Sequence, residues 1–498
     1  MMKTRGRVCV LALALLALSV EAAGALQVPD GCDAPPDSGH GQTFFVDPAR
    51  GDKGNDGSEQ RPWRTLAEVL DPSTHLVATR AYIRFSDGLG PPAPVNSAGP
   101  IRPGDTIVLL SGDHGEVNAP QYVNSNFISV VAGKDQSPLV RSLHLWASSH
   151  WLFRGVKFQA VKTESDQNRP LVAIESHSWA GPSDNIIIVD SSFSTEDDAR
   201  GWTDKDWVNK PYDPGFASSA RCMTLLNNHF FNLRDAIQIT GDQSLIQGNL
   251  IEDIGNDGID IIASDLVVRG NQIRNGHHTP VEQLHADGIQ GWTYPRDATN
   301  RNVVIDSNSI INLNPANDTY LQGISIFDGK WDGLTVTNNV VITNAWHGIA
   351  LYGVTNAVVV NNTVAAARPD LFTTWLMIHD SKGKTPSRNV LVRNNITVQI
   401  LAQGDGLTVD HNIAEKKIEF RSGEQLSRAI HGTVGDHNTV VPDIFNTFVD
   451  YDLAKGRFDL RPGPRSLAAG AGNGDRAPSL DIAGRRRVDP VDIGAYAR

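Results

Sequence analysis

Cysteine is scarce: the 498 residues hold three, Cys9, Cys32 and Cys222. Three cannot build a disulfide-stapled scaffold, and with Cys9 inside the N-terminal apolar run only one bridge, Cys32 to Cys222, is open, a pairing the sequence leaves undecided. A surplus of positive charge is missing too. Lys and Arg number 44 against 56 Asp and Glu, and the one basic cluster, "RRR" at 485–487, sits near the C-terminus. That balance excludes nucleic acid as a partner, because a phosphate backbone is held by a basic face. The one long apolar run, about a dozen residues within "MMKTRGRVCVLALALLALSVEAAGALQ", falls short of the ~20 residues that cross a bilayer. Lys3, Arg5 and Arg7 precede it and Ala23 and Ala25 follow, so residues 1–25 read as a signal peptide and the chain as secreted or periplasmic, without membrane insertion. The formal charge of −12 includes those three cations and Glu21, so the remainder stands near −14.

What is present is a repeat. Asn residues followed two positions later by an aliphatic recur at 228, 249, 271, 308, 339, 362, 395 and 412, at steps of 21 to 23 residues or that plus an insertion, the last step being 17. Between them runs a second phrase: "RDAIQI" (234–239), "NDGIDI" (256–261), "ADGIQGW" (286–292), "LQGISIF" (321–327) and "WHGIALY" (346–352). Each unit therefore carries two alternating β-type runs and a brief third one. Three short strands per ~22 residues predict a parallel β-coil whose rungs stack ~4.8 Å apart. At the bend before the third strand, Asn is expected to take the left-handed conformation and to bond the Asn above and below it. A leucine-rich repeat also matches "LVVRGNQI", but the segments after each Asn are rich in Asp and Gly and lead straight into another strand.

These features resemble secreted right-handed parallel β-helix proteins of the pectin-lyase-like superfamily, which include polysaccharide lyases and polygalacturonase-type enzymes. "FFVDPARGDKGNDGSEQRPWRTLAEVL" (44–70) looks like their entry segment, with a short helix opening at P-W-x-T-L, and "FDLRPGPRSLAAGAG" with "DIAGRRRVDPVDIGAYAR" is similar to their closing segment. The organisation implied is an entry and capping region over 26–104, an all-β right-handed parallel β-helix solenoid over 105–420 and a closing segment over 421–498. On that geometry the G-I-x-I run is the first sheet, and insertions on either side of it mark a groove.

Alternation then assigns directions. With Ile237, Ile259, Ile289, Ile324 and Ile349 inward, Gln238, Asp260, Gln290, Ser325 and Ala350 face outward, and Trp292, Phe327 and Tyr352 form an aromatic column at the strand exits. Asp235, Asp257, Asp287, Gln322 and His347 stand at the entrances, with His285 just ahead. Asp235 reads best as a turn cap that accepts backbone N–H bonds, the next residue being small for backbone freedom. Asp257, Asp260 and Asp287 on neighbouring rungs repel one another unless a cation, a proton or a substrate group offsets them.

Three chemistries follow. The first, implied by the resemblance, is a polysaccharide lyase acting on a uronate-containing polysaccharide by β-elimination, a carbon–oxygen lyase. Its catalytic candidates are His285, Asp287, Lys330 and Arg296, with Lys382 and Lys384 also basic and nearby in the insertions. Substrate-binding candidates are Gln238, Gln290, Trp292, Tyr294, Trp331, His347 and Tyr352. Asp257, Asp260 and Asp287 are the expected ligands of a calcium ion, which takes oxygen donors; no organic cofactor is expected, and the protein is expected to act as a monomer. The second chemistry is a glycoside hydrolase with paired Asp carboxylates, since "NDGIDI" resembles the N-x-D-G region of polygalacturonases, although their G-H-G and R-I-K elements are missing. The third is a glycan-binding surface protein without catalysis.

Overall fold

The alternating runs do become short strands, and they stack into a right-handed parallel β-helix. The computed structural model describes residues 28–34, 41–161, 169–277, 285–295, 297–313, 320–429, 432–452 and 457–498. The expected signal peptide lies outside them, and among the described residues no helix is long and apolar enough to cross a membrane. One wall is a sheet of 13 strands that begins at Thr43–Val46 and ends at Thr408–Asp410. The other two walls interleave along the chain and merge into one ladder where the long strands Ile396–Gly404 and Ile413–Ser422 turn the corner between them. Parallel strands joined within each coil wind right-handed because a right-twisted strand packs back onto its sheet only in that sense.

Register carries the core. On the first sheet Ile237, Ile259, Ile289, Ile324 and Ile349 pair in sequence from rung to rung, and all five are fully buried. On the third sheet the inward position is aromatic at the N-terminal end: Phe158, Phe193 and Phe230 stack with ring centroids 4.9 and 4.3 Å apart, then Ile251, Ile273 and Ile310 continue the column. Offset stacking at such distances adds about 0.5–1.5 kcal/mol per pair beyond area burial.

The Asn ladder forms between the second and third sheets. Asn228 Nδ2 donates to Asn249 Oδ1, which is followed in turn by Asn271, Asn308, Asn339, Asn362, Asn395 and Asn412, and the chain runs one step further to Asn438. One expectation is corrected: the left-handed residue is the one before each ladder Asn. Positive φ falls at Asn227, Gly248, Gly270, Ser307, Asn338, Asn361, Asn394 and His411. The bend and the bridging amide are thus divided between two neighbours, because an amide aimed along the stack needs its own backbone in line with the next coil.

The glycine of the repeated phrase has a different cause from the one expected. Gly258, Gly288, Gly323 and Gly348 are not among the positive-φ residues; instead a Cβ on Gly258 would meet the Gly288 carbonyl oxygen at 2.5 Å, and one on Gly323 the Gly348 oxygen at 2.0 Å. Close approach of consecutive coils, rather than backbone freedom, selects that letter.

Both ends are closed. Helix Leu66–Leu70, capped by the Thr65 side chain, buries Leu66, Val69 and Leu70 over the N-terminal coil, with Trp63 stacked on Phe44 beside it. At the other end Gln425–Ala429 pairs antiparallel with Ile413–Ser422 and interrupts the parallel stack. The closing segment lies along the outside of the third sheet, where Leu460, Ala468, Ile493 and Ala495 form a second apolar cluster with Val340, Ile342, Ala365 and Ile396. Cys32 and Cys222 are bridged, which ties the N-terminal segment to the second sheet across 190 residues.

Candidate active site on the first sheet

The outward row of the first sheet is in register as expected: Gln238 pairs with Asp260, Asp260 with Gln290, Gln290 with Ser325 and Ser325 with Ala350. It is not an open stripe, however. Gln238 and Gln290 are partly exposed, whereas Asp260, Ser325 and Ala350 are buried on the outer face at 1%, 0% and 0% exposure.

The aspartates at the strand entrances form a hand-over-hand chain. Asp235 Oδ1 accepts the backbone N–H of Asp257 at 2.9 Å, and Asp257 Oδ1 accepts that of Asp287 at 2.7 Å. The chain ends there, because the N–H of Gln322 goes to the Ala286 carbonyl. The cap reading of Asp235 is therefore part of the structure, but it uses only one oxygen. Carboxylate oxygens of Asp235, Asp257 and Asp260 lie within 4.8 Å of one another. Asp260 Oδ1, Asp287 Oδ1 and Asn256 Oδ1 are buried without a hydrogen-bond partner.

Such crowding has an electrostatic consequence. Burial, then the nearby charge of Asp213, pushes Asp235 up to about 7. Burial and the neighbouring carboxylates hold Asp257 and Asp260 well above the usual carboxylate range. Several anions this close and this dry do not coexist; protons or a cation must neutralise them. Acceptor oxygens alone, close to one another and partly unpartnered, fit a hard oxygen-seeking cation. The group so defined is Asp235, Asp257 and Asp260, whereas the sequence pointed to Asp257, Asp260 and Asp287.

Asp287 takes another place. It is fully buried, its Oδ2 accepts from Gln290 Nε2 at 2.9 Å, and the same oxygen lies 3.6 Å from His285 Nδ1. His285 is half exposed, and the adjacent Asp287 carboxylate raises its pKa. Next along the face, His347 is held below the ordinary imidazole value by burial, and its Nδ1 accepts from Trp375 Nε1 at 3.2 Å. Its neutral ring therefore carries the proton on Nε2. Phe327 packs between them, 6.1 Å from His285, 4.9 Å from His347 and 5.0 Å from Tyr352. Burial raises the phenol pKa of Tyr320, and the charge of Asp287 adds to the rise.

The remaining expectations divide. Tyr352 lies in this aromatic wall with its hydroxyl donating to Met377 Sδ; Trp292 is partly exposed at the strand exit, and Tyr294 beyond it is 83% exposed. Trp331 is corrected: at 1% exposure it belongs to the core, where strand Lys330–Asp332 pairs in a small side sheet with Thr299–Arg301 and Val354–Thr355. Lys330 sits in that same side sheet and reaches the Asp297 carbonyl, away from the first-sheet ladder. Arg296 lies outside the described residues. The cation that acts on His285 is Lys382, paired with Asp328 at 2.7 Å and 5.7 Å above the Phe327 ring.

Comparison with known proteins agrees with the coil. Residues 215–414 match the family model described as the right handed beta helix region. The uncharacterized protein YwoF of Bacillus subtilis (strain 168) is 23% identical over 465 residues, covering 84% of this chain and 92% of its own. Among solved structures, pectate lyase Pel9A is 13% identical, with 92% of this chain and 96% of that one covered and a TM-score of 0.43. The A-module of the mannuronan C-5 epimerase AlgE4 of Azotobacter vinelandii is 10% identical, with 68% and 91% covered and a TM-score of 0.42.

Proposed function

We propose that the chain is a secreted or periplasmic carbohydrate-active enzyme, a polysaccharide lyase that cleaves a uronate-containing polymer at the first sheet. The observation that carries this reading is the meeting, on consecutive rungs of one ladder, of a buried carboxylate cluster and a half-exposed histidine backed by a carboxylate. Asp235, Asp257 and Asp260 are the residues that would hold a calcium ion, and such an ion supplies fixed positive charge beside a uronate carboxyl group, whose negative charge grows as the C5 proton leaves.

The chain's own residues account for the rest. Asp287, fixed by Gln290, keeps His285 Nδ1 protonated and leaves Nε2 as the base for the C5 proton. The C5–H electron pair becomes the C4=C5 double bond as the C4–O4 bond breaks, and the glycosidic oxygen leaves with the C4–O4 pair and takes up a proton from water. His347, neutral and protonated at Nε2, donates a hydrogen bond without carrying a second charge next to His285. Tyr352, with Phe327 packed behind it, offers a flat apolar face to the sugar ring. The buried positions of Asp257 and Asp260 favour this over the hydrolase reading, since an acid–base pair for hydrolysis must reach the glycosidic oxygen and a water.

The test is incubation of the protein with a panel of uronate polymers, with calcium or with a chelator. Ultraviolet absorbance of an unsaturated uronate, lost on chelation, is the expected result. New reducing ends without that absorbance would replace the lyase by a hydrolase, and binding without either would leave a glycan-binding protein.

A further inference from the structure

A cavity of about 1000 Å3 lies on the same sheet but upstream of the carboxylates. Its floor is the outward row of the first sheet, Asn118, His144 and Ala173. That row continues through Ala217 and Gln238 to Asp260. His144 and Asp260 are four rungs apart, roughly 19 Å at ~4.8 Å per rung, a span that several linked sugar rings would cover.

The cavity's chemistry differs from that of the carboxylate cluster. Glu175 Oε2 lies 3.0 Å from His144 Nε2 in the cavity lining and 2.9 Å from His177 Nε2 just outside it, and beside this bridge, next to His177 and beyond the lining, stands a shelf of rings. Trp179 is 47% exposed; it stacks on His177 at 5.1 Å and meets Trp146 at 5.1 Å. Charge does not favour an anion here. Glu116, Glu175 and Glu196 line the cavity against Arg141 and Arg169, and Arg141 is already paired with Asp113. Carboxylates, imidazoles and an indole shelf are donors, acceptors and flat apolar faces, which suit hydroxyl-bearing rings that carry no charge.

We propose that this cavity is a second glycan subsite that holds neutral sugar units of the same polymer whose uronate lies at Asp235, Asp257 and Asp260. The substrate class is then an acidic heteropolysaccharide, with uronate and neutral units set several residues apart, rather than a pure polyuronate. The inference rests on the lyase reading for its polymer and stands apart from it in its test.

The test titrates the full-length protein with three uncharged probes, cellohexaose, xylohexaose and a galactan hexasaccharide, and reads tryptophan fluorescence. Quenching by at least one probe is expected, with affinity falling about three- to tenfold in Trp179→Ala. It should persist in Asp260→Asn, which removes a carboxylate from the distant cluster. Glu175→Gln, which keeps the shape of the bridge, is the second variant and should weaken the same probe. With an acidic heteropolysaccharide as substrate, Trp179→Ala should raise KM by a similar factor with little change in kcat. Turnover of uronate polymers with no quenching by any neutral probe would overturn the subsite and leave the lyase reading standing. Quenching that is lost in Trp179→Ala, without turnover of any uronate polymer, would overturn the lyase reading and keep a neutral-glycan site. Quenching untouched by both Trp179→Ala and Glu175→Gln would place the probe elsewhere and overturn the subsite.

Discussion

Asp257 accepts the backbone N–H of Asp287 through Oδ1, at 2.7 Å, while its carboxylate also stands within 4.8 Å of those of Asp235 and Asp260. One side chain thus fastens the next coil and contributes to an anionic cluster. The arrangement couples the stability of these rungs to whatever neutralises the charge.

Calcium and acid are therefore expected to substitute for each other. Folding raises the carboxyl pKa values, with Asp235 at about 7 and Asp257 and Asp260 well above their ordinary value. The sign follows from linkage: a carboxyl with a raised folded-state pKa gives stability that is fully present below its unfolded value of about 3.9 and is lost as pH rises through the folded value. In chelator, denaturant midpoints should fall between about pH 5 and pH 8. A cation binding the folded state at a hundredfold excess over Kd contributes about 2.7 kcal/mol and should flatten the curve. Asp260→Asn should lose most of the calcium response and part of the pH slope. A flat profile in chelator, with no response to calcium in the wild type, would remove the cation site.

The acid limb of catalysis should belong to His285. Its pKa is raised by the adjacent Asp287 carboxylate, and a base must be neutral to act, so kcat/KM is expected to rise with pH through that raised value. Asp287→Asn removes the anion, so the limb should move toward lower pH, while the wrong tautomer at His285 cuts the rate by at least a hundredfold. His347, held low by burial, should not appear as a second limb in the same range. Measuring kcat/KM from about pH 5 to 9 for both proteins decides it; an unmoved limb in Asp287→Asn would assign the base elsewhere.

Much of this was legible in the sequence because a solenoid converts spacing directly into position. The period of the Asn residues placed the ladder, and the inward Ile column fixed which letters share a face. What stayed hidden has physical reasons. The letter Asp at 235 announces the cap and gives no sign that its carboxylate comes within 4.8 Å of those of Asp257 and Asp260. The left-handed position is filled variously by Asn227, Gly248, Ser307 and His411, and so leaves no single-letter signal. Alternation runs out at the strand exits, which is why Trp331 reads as a groove residue and packs in the core. Lys330 and Lys382 sit in insertions of unequal length, where register gives no guide to which one returns to the site.

The ladder itself should dominate local stability. Asn308 Nδ2 donates to Asn339 Oδ1 and to the Val268 carbonyl, and its Oδ1 accepts both the backbone N–H and the Nδ2 of Asn271. Asn308→Ala leaves several of these buried groups unpaired and should cost roughly 3 kcal/mol or more. Ser307→Gly, one residue earlier at φ 57°, should instead be neutral or stabilising by up to about 1 kcal/mol, because glycine meets no penalty in the left-handed region. Equilibrium denaturation of the two variants separates the bend from the bridge. A cost for Ser307→Gly matching that of Asn308→Ala would contradict the division of roles.

The Cys32–Cys222 bridge should matter more for the N-terminal coils than for the site. It joins residues 190 apart in sequence, and the segment it holds is otherwise pinned by Asp33, which bonds Asn185 and His150, and by the Asp30 carbonyl, which accepts from Gln243. A bridge closing so long a loop typically contributes about 2–4 kcal/mol through the unfolded chain. In a coil whose rungs contact only their neighbours, that contribution falls on the rungs it touches. Cys32→Ser with Cys222→Ser should lower the first unfolding transition and raise hydrogen exchange around the strand Arg221–Leu226, while exchange at Asp287–Gly291 stays as in the wild type. Uniform loss of protection along the whole coil would mean that the bridge acts on global folding, and the rung-by-rung account of stability would have to be given up.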